Sequence, residues 1–552
     1  MGTVDTSRGG VRATGDIRPA ALAAALLCSL AAGPSAAAGS ERLVDAAARQ
    51  DAPAVRALLH AGADVDQRRA DGATALLWAA HWDDRESVTL LLDAGADVNA
   101  ADDYGVTPLM RASENASGGT VDLLLAAGAD PNAVQVSGLT ALMVAARTGS
   151  SEVVRALLAH GADVNAATTG TSATALMWAV AAPHRVIVER LLEGGADVGV
   201  STTKGMTPLL TAAQHGDIQT ARLLISAGAD VNQPGADGTY PLPFAIVDGH
   251  DDFALFLIAQ GADPNQTIDG IPALAAAAGD TDAWTFHWDR EHGGAQYAVR
   301  ERAGGGRIYL TPAQRLPLVE ALLAAGADPD TRITTSAMLM NYIGHPTKGA
   351  FESFSCGTGD LRGATPLWVA AHHANGQGYV PVPAAVDGEN ARQHAAIIAK
   401  LLAAGADPAL AIDDGTTPLM AAAGLGQCTF RPNLRRGLRS RGAEAAVRVL
   451  LEAGAEIDAV NEADFTALHG AAYRGLNEVV EYLVAQGADI DARDYRGRTP
   501  YRLAEGSKQS FQFQAFPETA ALLAGLGANT RLGVPGTVQE RADRAVADTL
   551  VP

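Results

Sequence analysis

The chain has few aromatic residues and few cysteines. Phe, Trp and Tyr make up 5% of its 552 residues, and three residues are Cys. Such a composition argues against one large globular core and suits helices that stack through small side chains. Lys and Arg total 41 against 62 Asp and Glu, which gives a net charge of −21. Because binding phosphate groups needs clustered basic side chains, this charge argues against a nucleic-acid-binding surface.

Motifs that would indicate an enzyme are also missing. The sequence contains no Gly-x-Ser-x-Gly, no His-Glu-x-x-His and no Cys-x-x-Cys. Most aspartates fall in recurrent turns, where Asp is a common turn former. We therefore predict no catalytic residue, no metal ligand and no cofactor.

Repetition is what the chain has in abundance. An apolar run that ends in Gly-Ala-Asp or a close variant occurs twelve times, and the glycines are 33 residues apart in six of eleven intervals and 34 in one. A fixed period of this size indicates a stacked array, in which each unit buries its apolar face against its neighbours. The glycines are Gly62, Gly95, Gly128, Gly161, Gly195, Gly228, Gly261, Gly326, Gly405, Gly454, Gly487 and Gly527.

A second signature begins with Thr about a dozen residues after most of these glycines. It reads Thr-Ala-Leu or Thr-Pro-Leu and continues into small residues; Thr can cap a helix and Pro suits the first helical position. A second helix follows, as in 150–163, and the glycine ends it in a left-handed conformation. The apolar stripe of that helix is Val153, Val154, Leu157 and Leu158. The threonines are Thr74, Thr107, Thr140, Thr174, Thr207, Thr365, Thr417, Thr466 and Thr499.

These signatures closely resemble the ankyrin repeat family over about residues 40–530. The matching features are the Thr-Pro-Leu start, the Ala-Ala pair and the Gly-Ala-Asp-Val-Asn ending, as in 95–99. The resemblance implies an all-α ankyrin-repeat solenoid of about 12 helix-turn-helix units with β-hairpin loops, interrupted by long insertions. The family usually has His after Thr-Pro-Leu, where it ties neighbouring loops together, but only His469 keeps it here. We expect apolar packing to replace that loop network. The replacing residues are Leu77, Met110, Met143, Met177, Leu210, Trp368 and Met420.

The spacing also predicts the boundaries along the chain. They are a signal peptide (1–38), N-terminal repeats (39–279), an insertion within a repeat (280–314), the second helix and end of that repeat (315–330), an insertion with Cys356 (331–362), repeats with a loop near 375–389 (363–424), an Arg-rich insertion with Cys428 (425–442), C-terminal repeats and a cap (443–530) and a tail (531–552).

The N-terminus is typical of an export signal. Arg8, Arg12 and Arg18 precede an apolar run at 19–32, and small residues offer a cleavage site after Ala38. The alternative is a disordered Ala-rich leader on a cytoplasmic protein. The Ala-rich, Lys-poor composition is typical of a GC-rich bacterial genome. We therefore predict a periplasmic or secreted protein that does not insert in a membrane after signal cleavage.

The two cysteines outside the leader both lie in insertions. An even pair in an oxidising compartment suggests a disulfide between Cys356 and Cys428. Two unrelated free thiols are the alternative.

The insertions have unusual compositions, and each allows two interpretations. The aromatic insertion at 280–314 favours a small core that folds back on the solenoid; His287, Asp289 and His292 within it could instead ligate a metal, although their spacing matches no strong zinc pattern. The Arg-rich insertion could bind an acidic partner or pair with the acidic surface of the protein itself. Its arginines are Arg431, Arg435, Arg436, Arg439 and Arg441.

The resemblance also places candidate binding residues. In the family, the hairpin tips and the exposed ends of the first helices line a concave groove, whereas Trp78 and Trp178 are expected to pack between repeats. We predict a non-catalytic protein–protein interaction module, an adaptor or scaffold of the cell envelope that holds a protein partner in this groove. The alternative is an enzyme or a cofactor- or metal-binding protein with a site built from the insertions at 280–442. The candidate groove residues are His81, Trp82, Tyr104, Glu114, Asn115, Arg147, Gln214, His215, His372, His373, Tyr473 and Arg474.

Overall fold

The computed structural model describes residues 42–281, 284–285, 310–336, 361–374, 384–425, 439–509 and 512–534. These residues are mostly helical, and successive helices contact each other in pairs. The first helices of the pairs are α1 (Leu43–Ala48), α3 (Ala75–His81), α5 (Pro108–Glu114), α7 (Ala141–Thr148), α9 (Ala175–Ala181), α11 (Pro208–His215), α13 (Pro241–Val247), α15 (Ala273–Ala278), α17 (Pro366–Ala374), α19 (Pro418–Ala422), α21 (Ala467–Arg474) and α23 (Pro500–Glu505). The second helices are α2 (Ala52–His60), α4 (Arg85–Asp93), α6 (Gly118–Ala126), α8 (Ser151–Ala159), α10 (Arg185–Glu193), α12 (Ile218–Ser226), α14 (Asp251–Ala259), α16 (Pro312–Ala324), α18 (Ala384–Ala403), α20 (Arg441–Glu452), α22 (Asn477–Ala485) and α24 (Pro517–Gly525).

The predicted start and stop signals of the helices are confirmed. In all nine Thr-containing signatures the Thr hydroxyl accepts the backbone N–H three residues later, at 3.1–3.5 Å. All twelve repeat glycines have φ between 79° and 104°, the left-handed region that ends the second helices. Of the predicted stripe in α8, Val153, Val154 and Leu157 are fully buried and Leu158 is partly buried.

The pairs stack in chain order, first helix on first helix and second on second. The stack continues across the long intervals, because α15 contacts α17 and α16 contacts α18. The core is therefore a continuous seam between units, as expected for a solenoid.

Within the described residues, no helix has the length and apolar character needed to cross a bilayer.

The connection from each second helix to the next first helix, which we call the finger loop, is linked to its neighbours through the backbone. Val136 N–H donates to the Tyr104 carbonyl at 3.1 Å, and Thr169 N–H donates to the Ser137 carbonyl at 3.0 Å. His469 retains the expected link, since its Nε2 lies 3.2 Å from the carbonyl oxygen of Arg498. A loop network therefore persists without the histidines, so its expected loss was wrong. The expected apolar packing is confirmed, because all seven residues that replace the histidines are buried.

Regular hairpins are rarer than expected in the described residues. One finger loop contains a short antiparallel pair, β1 (Thr267–Ile268) with β2 (Ile271–Pro272). A second pair, β3 (Ser507–Gln509) with β4 (Gln512–Gln514), joins α23 to α24 and is not a finger loop. The other described fingers are closed by turns and isolated bridges.

The Asn of the Gly-Ala-Asp-Val-Asn ending links consecutive units. Asn99 Oδ1 accepts the Asp130 N–H at 2.8 Å, and its Nδ2 donates to the Gly128 carbonyl at 3.4 Å. The same bond crosses a long interval, where Asn265 Oδ1 accepts the Asp328 N–H at 2.9 Å. This side-chain-to-backbone ladder gives a physical reason for an amide side chain at that position.

Several helices begin earlier than the sequence spacing predicted. Helix α16 begins at Pro312 and is capped by Thr311, so its start belongs to the range assigned to an insertion. Helix α18 begins at Ala384, inside the loop predicted near 375–389, and α20 begins at Arg441. The signal peptide, both interior cysteines and residues 535–552 lie outside the described residues.

Candidate protein-binding groove

The surface formed by the finger loops and the first helices, which we call the groove, has an aromatic cluster at the end of α3. Trp78 and Trp82 stack with their ring centroids 6.4 Å apart, and His81 meets Trp82 edge-on at 4.7 Å. Trp78 is 9% exposed and Trp82 is 42% exposed. The expected packing of Trp78 between repeats is confirmed, and the cluster offers Trp82 to the solvent.

Trp82 is held in place by the preceding unit. Its indole Nε1 donates to the carbonyl oxygen of Ala48 at 3.1 Å. Asn115 Nδ2 donates in the same way to the His81 carbonyl, and His184 Nε2 lies 3.1 Å from the Arg147 carbonyl oxygen. The turn after each of these first helices is thus fastened to the end of the previous one, which keeps the groove residues in fixed positions.

Charges surround His81. Burial lowers its pKa, the Arg111 guanidinium lowers it further and Glu114 opposes the shift. Arg111 itself donates to Glu114 at 2.9 Å and lies 3.9 Å from Asp102. The imidazole is therefore neutral near pH 7 and acts as an aromatic surface rather than as a charge.

Two arginines lie over tryptophan rings of the groove. The Arg69 guanidinium carbon is 5.6 Å from the Trp78 ring centroid, and that of Arg147 is 5.6 Å from Trp178. Within the described residues, the buried indole nitrogens of Trp78 and Trp178 have no hydrogen-bond partner. One pair joins the finger loop before α3 to Trp78, the other joins the end of α7 to Trp178 in α9, and the guanidinium groups of both can only donate hydrogen bonds.

Most candidate residues of the N-terminal units reach the surface. Tyr104 is 70% exposed at a finger tip, and Asn115, Arg147 and His215 are also exposed. His81, Glu114 and Gln214 are partly buried.

Tyr473 and Arg474 were wrongly placed in the groove, because both are buried. A Cβ added to Gly424 would lie 2.6 Å from Arg474 Cγ, so the preceding unit packs directly against this arginine. Glycine removes the side chain that would keep the two first helices apart, and the end of α21 is covered as a result.

His372 and His373 face different surroundings from the Trp82 cluster. His372 stacks on Trp368 with centroids 4.9 Å apart, and His373 meets His394 edge-on at 5.0 Å. His373 Nδ1 also accepts the Asp280 backbone N–H at 3.4 Å. Both histidines are partly exposed although their rings pack against buried neighbours, so their assignment to a binding surface stays a prediction.

His373 and His394 lie near a buried cation that sequence reasoning missed. Arg315 Nη1 donates to the carbonyl oxygens of Ala276 and Gly279, at 2.9 and 2.6 Å, and so caps the end of α15. Burial first, and then Arg315, hold the pKa of His373 well below its usual range and lower that of His394 to about 4. No sequence signal marks Arg315 or His394, because the repeat period is interrupted on both sides.

The insertions are described only at their ends. Trp284 is fully buried, donates from Nε1 to the Leu361 carbonyl at 3.3 Å and meets Trp368 edge-on, which favours the small-core interpretation of the aromatic insertion. His287, Asp289 and His292 lie outside the described residues. Elsewhere, in the residues that are described, no three potential ligands group together as a metal site.

One arginine of the Arg-rich insertion pairs with the protein itself. Arg439 donates to both carboxylate oxygens of Glu444, at 2.7 and 2.8 Å, and lies 3.5 Å from Glu478. For Arg439 the structure favours the internal pairing over an external acidic partner. Arg431, Arg435 and Arg436 lie outside the described residues.

The stacked helix pairs, finger loops and ladder define a helical repeat protein of the solenoid class. Models of ankyrin repeats match residues 43–135, 116–202 and 176–268, and a further ankyrin-repeat model matches 450–504. The matched ranges span 226 and 55 residues, just over half of the 552. The chain therefore belongs to the ankyrin repeat family. No curated protein matches it in sequence.

Proposed function

We propose that this protein is a non-catalytic protein–protein interaction module that holds a partner in the N-terminal part of its groove. Ankyrin repeats generally mediate protein–protein interactions. The observation that carries the proposal is Trp82, an exposed indole fixed by its bond to Ala48 and by the rings of Trp78 and His81. A rigid aromatic anchor of this kind costs little conformational entropy on binding and is typical of interface hot spots.

We also propose that all twelve helix pairs are ankyrin units and that the insertions are additions to a continuous stack. The contacts of α15 with α17 and of α16 with α18 support this proposal. The Asn265–Asp328 bond supports it independently, because it has the same form as the bonds between uninterrupted units.

Export to the periplasm or outside of the cell is part of the same proposal. Its support is the sequence of residues 1–38, with three arginines before an apolar run and small residues before the cleavage site. N-terminal sequencing of the protein from its native cells is expected to give a chain that begins at Gly39. A mature chain that retains Met1 or Gly2 would contradict export by this route.

The binding proposal is tested with a groove variant and a matched surface variant. The groove variant carries Trp82→Ala, Tyr104→Ala and Arg147→Ala, and the control carries Arg155→Ala and Val186→Ala, which are exposed on second helices. Partners are captured from the envelope fraction, purified and titrated against each protein. The wild type and the control are expected to bind with the same Kd, whereas the groove variant binds at least about a hundredfold more weakly.

A groove variant that binds the partner as tightly as the wild type would contradict the proposal. So would a wild-type protein that carries a stoichiometric metal or small molecule and no protein. That second result would favour an enzyme or ligand-binding protein with a site at the insertions, where Arg315, His373 and His394 cluster. Native mass spectrometry and elemental analysis of the same samples distinguish the two outcomes.

A further inference from the structure

Three arginines at the N-terminal end of the groove make few ion pairs with carboxylates. Arg42 Nη2 donates to the Arg68 carbonyl at 2.5 Å, and Arg68 Nη1 donates to the Ala101 carbonyl at 2.8 Å. Both guanidinium groups are therefore held by neutral oxygens. Arg69 has one loosely placed carboxylate, that of Asp45, at 3.8 Å.

A second cation lies further along the groove. Arg147 is exposed at the end of α7 with its guanidinium over Trp178, and no carboxylate of the described residues lies within 4 Å of it. Between the two ends, Arg111 is neutralised by Glu114. The groove thus has guanidinium groups with weak or no ion pairs at two separated places.

The hydrogen-bonding groups of this surface have the same bias. The guanidinium groups of Arg69 and Arg147 can only donate hydrogen bonds. A ligand that matches this surface must supply acceptors and negative charge.

We propose that this part of the groove binds an extended acidic segment of the partner protein. Carboxylates of the segment pair with Arg69 and Arg147, and an apolar side chain packs on Trp82. Tyr104 and Val136, which are 70% and 77% exposed on adjacent finger tips, widen the apolar contact. This inference rests on the proposed function and names the chemistry of the partner.

The geometry sets the length of the segment. Packed helices are about 8–10 Å apart, so the three steps from α3 to α9 cover about 24–30 Å. An extended chain rises about 3.3 Å per residue, and about seven to nine residues therefore span the two arginine–tryptophan pairs.

The test uses three synthetic peptides of about ten residues with Leu in the interior. One has Glu at both ends, one has Gln and one has Lys, and each is labelled for fluorescence anisotropy with the full chain. We expect the Glu peptide to bind at least about tenfold more tightly than the Gln peptide, because charge-assisted bonds are stronger than neutral ones. Arg69→Gln with Arg147→Gln removes this preference.

Two further variants make the result specific. Arg155→Gln with Arg222→Gln is the control, because both arginines are exposed on second helices and Arg222 also lies over a ring, that of Phe256, at 4.7 Å. This control keeps the preference for Glu. Arg69→Glu with Arg147→Glu reverses it, so that the Lys peptide binds best, and circular dichroism confirms that each variant is folded.

Equal binding of the Glu and Gln peptides, or no measurable binding of the Glu peptide, would overturn the proposal. A charge-reversed variant that still prefers Glu would do the same. If the natural partner is nevertheless lost from the groove variant described above, the groove function stands and only the acidic chemistry fails. If that variant keeps the partner, the proposed function fails first.

Discussion

His373 and His394 meet edge-on with ring centroids 5.0 Å apart, at the seam that joins the units on either side of the long insertions. Arg315 is buried beside them, and His373 Nδ1 accepts a backbone N–H. Both imidazoles are therefore neutral in the folded protein. Protonating either one would place a second cation near the buried Arg315.

This arrangement predicts a loss of stability in acid. The pKa of His394 is lowered from 6.5 to about 4, chiefly by burial. The stability that neutral His394 contributes is fully present above pH 6.5, where this histidine is also neutral in the unfolded chain. It is lost as the pH falls toward 4. A difference of this size corresponds to about 3 kcal/mol. Hydrogen exchange of α17 and α18, measured from pH 7 to pH 4.5, should show increasing local opening after correction for the intrinsic rates.

His394→Gln is the variant that tests the source of this effect. It removes the titrating group and should flatten the pH dependence of opening in α17 and α18. His160→Gln, a change at an exposed position of the fourth unit, leaves that dependence unchanged. An unaltered pH dependence in His394→Gln would show that another group is responsible.

The approach of α17 to α20 predicts an unusually sensitive glycine. A Cβ added to Gly442 would lie 2.0 Å from the carbonyl oxygen of Ala374, which cannot move without shifting α17. Gly442→Ala should therefore destabilise this seam by at least about 2 kcal/mol, although Ala favours helix by about 1 kcal/mol elsewhere. Gly525→Ala in α24 meets nothing within 4 Å and should be neutral or slightly stabilising. Thermal denaturation of both variants checks this contrast, and similar midpoints would contradict it.

The core of a regular unit gives a simpler prediction. Leu157 is fully buried in α8, so Leu157→Ala should cost about 2–5 kcal/mol of local stability. Val186→Ala, at a residue 55% exposed on α10, should change stability by less than about 0.5 kcal/mol. Hydrogen exchange of the two units measures both effects, and a loss below 1 kcal/mol for Leu157→Ala would contradict the burial of this side chain.

The sequence predicts the helix ends well because their signals are local. Thr107 caps α5 through the N–H three residues later, and Gly128 ends α6 at a positive φ whatever the neighbours are. Exposure is not local, because it depends on how closely the next unit packs. Trp82, in a regular part of the array, is exposed as predicted. Arg474 is covered because the preceding unit has Gly424 at the contact.

The cluster of Arg315, His373 and His394 could not be predicted for the same reason. Arg315 caps α15 across the interval of residues 280–311, and no period relates the two segments. His373 follows its Thr at the usual spacing, but that spacing does not predict the contact of its ring with His394. Its partner His394 belongs to α18, whose start the sequence did not reveal. Tertiary contacts at interrupted units thus override the repeat pattern.

The turn between the two helices of a unit supplies a final prediction. Ala116 has φ of 57°, in the left-handed region, and the corresponding residue of the units of α7 and α11 is glycine, at Gly149 and Gly216. A left-handed conformation costs an L-residue about 1–2 kcal/mol. Glycine avoids this strain, but it also makes the unfolded chain more flexible, which reduces the net gain in stability. Ala116→Gly should therefore stabilise the third unit by about 0.5–1 kcal/mol.

The same substitution elsewhere in that unit should have the opposite sign. Ala126 is exposed at the end of α6 with helical backbone, so Ala126→Gly should lose up to about 1 kcal/mol. Gly216→Ala is the reverse substitution at the corresponding position of the unit of α11. It should destabilise that unit by more than Ala116→Gly stabilises the third unit, because the added Cβ would also lie 2.6 Å from His250 Nδ1. Hydrogen exchange of α5 and α6 measures the effects of Ala116→Gly and Ala126→Gly. Hydrogen exchange of α11 and α12 measures the effect of Gly216→Ala. Two destabilising changes of equal size at Ala116 and Ala126 would show that the turn at Ala116 carries no strain in solution.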